Sequence, residues 1–267
     1  MGTVLKFGLI VLALYAGTVA LLAAFQTSLI FPRGLTGAAP LLPQGTTRMT
    51  LQTPGGDVLQ GVRIPGRNTD AALLLGFGGN AWNAESMALF LHRHAPDHPV
   101  AAFHFRGYAP STGTPSARAL RDDAVLIHDH MASTEAGIIA IGFSIGSGAA
   151  AHLGARRDVQ GVALVTPFDS LRNVARDSLP WAPVTWLLRH DMTPLSDLRD
   201  RAVPVAILTA TRDEVIPPAR TEALISGLQA SHHARLTVSR ITAGHNDIYS
   251  HPEFSTALQA ALRHIAP

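Results

Sequence analysis

Gly137-Ile138-Ile139-Ala140-Ile141-Gly142-Phe143-Ser144-Ile145-Gly146-Ser147-Gly148 is the stretch whose reading decides the fold. An apolar run, Ile138 to Ile141, ends in Gly142-Phe143-Ser144-Ile145-Gly146, which fits the G-x-S-x-G pattern of a nucleophile elbow. In that turn a serine sits between strand and helix in a strained backbone conformation. A side chain at either flanking glycine would crowd the packed strand and helix. Ser144 would then stand at the carboxyl end of a buried parallel strand, where open α/β sheets place their ligands. The alanine- and glycine-rich stretch Ser147–Arg156 reads as the following helix, with its N-terminal amides aimed at the same point.

Short apolar runs alternate with longer amphipathic stretches on both sides of this turn. Strands are expected at Ala71–Leu75, Val100–Phe105, Gly137–Phe143, Val162–Val165, Val203–Thr209 and Arg235–Ile241. Helices are expected at Asn83–His94, Ala117–Ala132, Ala219–Leu228 and Glu253–His264. That alternation indicates a mostly parallel sheet covered by helices on both faces. Arg48–Thr53 and Val58–Ile64, joined through Pro54-Gly55-Gly56-Asp57, read as a hairpin that adds an antiparallel edge. Phe168–Asp200, with Pro180, Pro183, Pro194, Trp181 and Trp186, breaks the rhythm. It reads as a short helical cap over the carboxyl edge of the sheet, with Pro180-Trp181 and Trp186 as candidates to line an apolar acyl pocket. The alternative is a long surface crossover.

The N-terminus has a different character. Phe7–Phe25 carries no charged residue and, as a helix, would span about 30 Å, the thickness of a bilayer core. It reads as an uncleaved anchor, with a cleaved signal peptide as the alternative through Ala20, Ala23 and Ala24. The expected organisation is an anchor over residues 1–27, a Pro/Gly-rich linker over 28–47, and one α/β domain over 48–267 with its cap at 168–200. Lys6 before the run and Arg33 and Arg48 after it orient the anchor only weakly. The domain is expected on the periplasmic or extracytoplasmic side.

Composition excludes several classes of function. With no cysteine, disulfides, thiolate metal sites and cysteine nucleophiles are ruled out. Lys6 is the only lysine among 21 basic residues, and the arginines are scattered, so no nucleic-acid stripe forms. The glycines of Gly76–Gly79 are not followed by G-K-[ST], so they do not make a phosphate loop. His92, His94 and His98 have no metal-ligand spacing on a helix and read as a polar face, as does His232-His233 in a loop. No metal or other cofactor is expected.

A serine hydroxyl needs a base, and the base needs an acid to hold its tautomer. In chain order after Ser144, Asp213 follows the strand ending at Thr209, and His245 follows the strand ending at Ile241, preceded by Gly244. Glu214 and Asp169 are alternative acids. The oxyanion amides are expected from Ile145, the residue after the serine, and from the loop Gly76–Asn83, with Asn80 favoured. That loop also admits a purely structural reading, with Asn80 or Asn83 capping the next helix.

Together these segments resemble a known family. Gly78-Gly79-Asn80-Ala81-Trp82-Asn83 is similar to an HGNAGN-type oxyanion loop. Phe105-Arg106-Gly107-Tyr108 with Ser111, Gly113 and Pro115 is similar to an RGYG-x-S-x-G-x-P segment. With Gly142–Gly146, Asp213-Glu214, Pro217, Gly244-His245-Asn246-Asp247 and the Gln26–Pro32 segment after the anchor, they resemble the Bem-type (bud-emergence) α/β-hydrolases. These are related to the serine aminopeptidase-like and prolyl-oligopeptidase-like group. Gly78 stands where that family usually has histidine, and Ala109 where it has glycine. The resemblance implies an α/β-hydrolase fold, Ser144 as nucleophile, His245 as base, Asp213 as orienting acid, and Asn80 and Ile145 as oxyanion donors. The expected activity is hydrolysis of an ester or thioester of a small or lipid-like acyl substrate without a cofactor. A serine peptidase and a non-catalytic anchored scaffold are the alternatives.

Overall fold

The structure, a computed structural model, describes residues 2–135, 137–231 and 235–266, so the His232-His233 loop lies outside the described residues. Eight strands form one sheet: β1 (Thr47–Gln52), β2 (Val58–Ile64), β3 (Leu73–Phe77), β4 (Val100–Phe103), β5 (Ile138–Phe143), β6 (Gly161–Val165), β7 (Val205–Ala210) and β8 (Leu236–Ile241). Their order is β1-β2-β4-β3-β5-β6-β7-β8. β1 and β2 form the antiparallel edge, and β3 to β8 run parallel.

The helices are α1 (Gly2–Ile30), α2 (Ala84–His94), α3 (Ala117–Met131), α4 (Gly146–Arg156), α5 (Leu171–Ser178), α6 (Val184–Leu187), α7 (Pro194–Leu198), α8 (Pro218–Ala230) and α9 (Glu253–Ile265). The period-two alternation of the strands explains why both faces are covered. In β5, Ile138 and Ala140 pack in one core with Leu120 and Ile127 of α3 and Leu153 of α4. Ile139, Ile141 and Phe143 of the same strand point into the other core, with Leu91 of α2 and Phe254 and Leu258 of α9. β7 repeats this, with Val205 and Ile207 on the first face and Ala206 and Leu208 on the second.

Helix starts follow local chemistry. Asn83 caps α2, its Oδ1 accepting from the amides of Glu85 and Ser86 at 2.9 and 3.2 Å, so that helix begins one residue later than expected. Ser116 and Ser170 cap α3 and α5 in the same way. The segment between β6 and β7 forms a cap of three short helices, α5 to α7. Met192 from this segment is fully buried against the first turn of α4, where a side chain at Gly148 would lie 2.6 Å from its sulfur.

α1 is a continuous apolar helix, long enough to cross a bilayer by length and composition, and its first turns are exposed. Its last turns do pack. Val19, Leu22, Ala23, Gln26 and Ile30, at helical spacing, face the cap. Phe31, just past the helix, is buried edge-on against His190.

Candidate active site

Ser144 lies between β5 and α4 with φ of 51°, a left-handed conformation that costs a non-glycine residue about 1–3 kcal/mol. The surroundings enforce it. A Cβ at Gly142 would lie 2.5 Å from the Gly146 carbonyl oxygen and 2.6 Å from the Ser147 Cα, and one at Gly146 would overlap the carbonyls of Phe77 and Gly78. Both flanking glycines are therefore required by close backbone approach. The Ser144 amide donates to the Val165 carbonyl at 2.9 Å, which ties the turn to the end of β6.

His245 and Asp213 come from the loops after β8 and β7, and both are buried. The His245 ring bridges the other two groups, with Nε2 3.1 Å from Ser144 Oγ and Nδ1 2.7 Å from Asp213 Oδ2. Asp213 is itself held, since its Oδ1 accepts from the amides of Val215 and Ile216 at 2.9 and 2.7 Å. One carboxylate oxygen is thus fixed by backbone and the other is left for the imidazole. The competing acids are engaged elsewhere. Glu214 accepts the backbone N–H of His245 at 3.0 Å, and Asp169 accepts from Asn173 at 2.6 Å beside Arg220.

The loop after β3 runs beside the serine, so that a Cβ at Gly79 would touch the Ser144 Cβ at 3.9 Å. Among the described residues, the amides of Asn80 and Ile145 donate to no protein acceptor, and so both remain open to a ligand. The buried Tyr108 hydroxyl donates to the Asn80 carbonyl at 2.7 Å and pins the loop from behind. Burial holds that phenol well above its ordinary pKa, so it stays a donor. Capping of α2 falls to Asn83, which leaves Asn80 free of that task. At Gly78 an added Cβ would make ordinary contact with Trp82, whose ring packs on Phe90, Phe143 and Tyr249.

Two supporting residues escaped the sequence reading. Thr166, at φ of 48°, follows β6, and its hydroxyl donates to the same Val165 carbonyl that receives the Ser144 amide. Tyr249, its pKa pushed up to about 12 by burial, places its hydroxyl 3.5 Å from Thr166 Oγ1. Neither position has a local pattern that marks it, because both act through residues distant in sequence. Two of the histidines not read as metal ligands make structural contacts: His94 packs at a tilt on Phe90 and edge-on against Phe254, and His98 Nδ1 meets the Ala72 carbonyl at 2.8 Å.

The tryptophans correct an expectation. Trp181 packs edge-on against Tyr15 of α1, and Trp186 is 88% exposed. An apolar cleft does form at the cap, but α1 supplies one wall of it and neither tryptophan lines it.

Solved structures share this architecture. An esterase of Pyrococcus furiosus superposes with a TM-score of 0.69 at 14% identity, over 87% of this chain and 96% of its own. An alpha-beta hydrolase of Vibrio vulnificus gives 0.65 at 19% identity, over 82% and 81%. The chain has the α/β-hydrolase fold. By sequence it is similar to an uncharacterized protein of Mycobacterium tuberculosis, 27% identical over 249 residues, covering 89% of this chain and 86% of that one. It is also similar to an uncharacterized membrane protein of Saccharomyces cerevisiae, 26% identical over 223 residues, covering 77% and 78%. No family model matches the chain.

Proposed function

We propose that this chain is a membrane-anchored serine hydrolase that cleaves a carboxylic ester or thioester through an acyl-Ser144 intermediate. The observation that carries the reading is the single imidazole that reaches both Ser144 Oγ at 3.1 Å and a backbone-fixed Asp213 at 2.7 Å. A serine becomes nucleophilic only when a base removes its proton, and the base acts well only when its other nitrogen is held. His245 Nε2 takes the Oγ proton as Oγ attacks the acyl carbon. Asp213 stabilises the imidazolium that forms. The amides of Ile145 and Asn80 receive the oxyanion. Collapse expels the alcohol or thiol, protonated by His245. Water then attacks the acyl-serine, gives its proton to His245, and releases the acid and free Ser144. No step requires a metal or other cofactor.

The fold shared with a protein named as an esterase, and the resemblance of the ordered motifs to the Bem-type hydrolases, support the same reaction class. α1, with its apolar length, and the yeast relative described as a membrane protein support anchoring through residues 1–27. The catalytic domain is assigned to the extracytoplasmic side, and the substrate to acyl compounds at or near the bilayer.

The test uses the full chain in detergent with a fluorophosphonate probe and p-nitrophenyl esters of increasing chain length. Wild type should gain one adduct by intact mass, Ser144→Ala none, and His245→Ala should react far more slowly. A folded wild type that takes no adduct would sink the hydrolase reading and favour a binding scaffold. Turnover of aminoacyl amides in preference to esters would move the reading to a peptidase.

A further inference from the structure

The last turns of α1 and the cap enclose an apolar cleft of about 140 Å³. Val19, Leu22, Ala23 and Ile30 line it from α1, and Ala175, Leu179, Ala182 and Leu188 are among its lining residues from the cap. Contacts between helix and cap run from Tyr15 to Thr27, about 18 Å along the helix axis. The midpoint of the charge-free run Phe7–Phe25 falls beside Tyr15. A bilayer spanned by that run would therefore reach the cap as well as the helix.

The polar contacts fit such a position. Irregular backbone is tolerated at membrane depth only where its polar groups find partners within the protein. The Tyr15 hydroxyl donates to the Trp181 carbonyl at 3.0 Å, and Gln26 donates to the Leu187 carbonyl at 3.1 Å while accepting the Arg189 amide at 2.8 Å. α1 thus lends the polar side chains of an otherwise apolar helix to the cap backbone. Trp186, which does not line the cleft, is 88% exposed, and Phe25 and the cleft-lining Leu29 and Leu187 are exposed with it, a cost in water and a gain in lipid. At the shallow end the Arg189 guanidinium donates to the Ala23 carbonyl at 3.0 Å. Among the described residues it pairs with no carboxylate, which leaves it able to meet a lipid phosphate.

We propose that the cap is seated in the membrane against α1, and that the cleft between them binds one alkyl chain of a bilayer phospholipid. The phosphate would lie at the Arg189 end and the chain would run toward Trp181. This rests on the reading of α1 as a membrane anchor and is independent of the chemistry at Ser144.

The full chain would be placed in phosphatidylcholine nanodiscs containing a phosphatidylcholine with a diazirine in one acyl chain. Irradiation and peptide mapping should find label on cap residues 175–188 as well as on the outer face of α1 at Leu21 and Phe25. Ala182→Trp fills the cleft from the cap side, and Leu22→Trp fills it from α1 should the first variant fail to fold. Either should lower label on the cleft-lining Ala175, Leu179 and Leu188 at least tenfold and leave Trp186 and the outer face of α1 labelled. Label on α1 with none on the cap would overturn the proposal while leaving the anchor intact. Label on Ala175, Leu179 and Leu188 unchanged in a folded, filled variant would also overturn it. Absence of label from both would overturn the anchor and the cleft together, and the fluorophosphonate adduct would still report on Ser144 separately.

Discussion

Asp213 holds its position through two backbone amides, so its replacement by asparagine leaves the loop largely in place. The two backbone N–H groups would hold the carboxamide oxygen and turn its NH2 toward His245 Nδ1, so the imidazole would lose both its tautomer and its counter-ion. Asp213→Asn should therefore lower ester turnover by about 10⁴-fold, as loss of an orienting acid does. Fold and melting point should stay close to wild type, read by circular dichroism alongside the kinetics. A loss under tenfold would assign the orienting role elsewhere. Tyr108→Phe separates donor geometry from packing, since it removes only the hydroxyl on the Asn80 carbonyl. It should cost about 1–3 kcal/mol of stability if the carbonyl stays dry. It should also lower kcat roughly tenfold with KM little changed, as a displaced oxyanion donor would. The strand-end positions of Ser144, Asp213 and His245 were legible because each follows an apolar run. The choice among Asp213, Glu214 and Asp169 was not, because it depends on which carboxylate faces the ring, and Glu214 turns to a backbone amide instead.

At the scale of elements, the sheet was readable from alternation within strands, and boundaries moved by only a residue or two where caps such as Asn83 decide them. The docking of α1 on the cap was not readable. In a largely apolar helix every face looks alike, and Tyr15, Gln26 and Thr27 mark the side that meets the cap. His190 makes that junction sensitive to pH. Its ring sits between Thr27 Oγ1, 2.7 Å away, and Phe31, and burial, helped by Arg189, lowers its pKa below the ordinary 6.5. A histidine with a lowered folded-state pKa is neutral in both states above about 6.5, where its junction is fully stable. Below that, the undocked ring takes up a proton first, and stability falls until the docked ring protonates too. Proteolysis between residues 179 and 189 should therefore quicken as pH drops from 7 toward 5. His190→Gln, which keeps a polar partner for Thr27, should flatten that dependence. An unchanged slope would place the sensitivity on other groups.

For the whole molecule, α1 and the α/β domain are joined by more than a tether. α1 continues through residue 27 to Ile30, and the domain rests on its last turns through Gln26, Thr27 and Phe31. A soluble version cut after residue 27 would strip partners from the Trp181 and Leu187 carbonyls and the Arg189 amide, and would open the apolar cleft to water. Each lost hydrogen bond is worth about 0.5–1.5 kcal/mol, and at this chain length 1 kcal/mol moves Tm by roughly 2–4 °C. Removing residues 2–27 should thus lower Tm by roughly 5–10 °C and speed cleavage of the cap. Removing only residues 2–12 keeps every one of these contacts and should melt like the full chain in the same detergent. The two truncations differ in cap contacts and share the loss of the domain-distal turns, so their comparison isolates the docking. Equal melting of both would mean that the helix contributes nothing to the domain beyond its attachment. A selective loss in the longer deletion would make α1 a structural part of the cap.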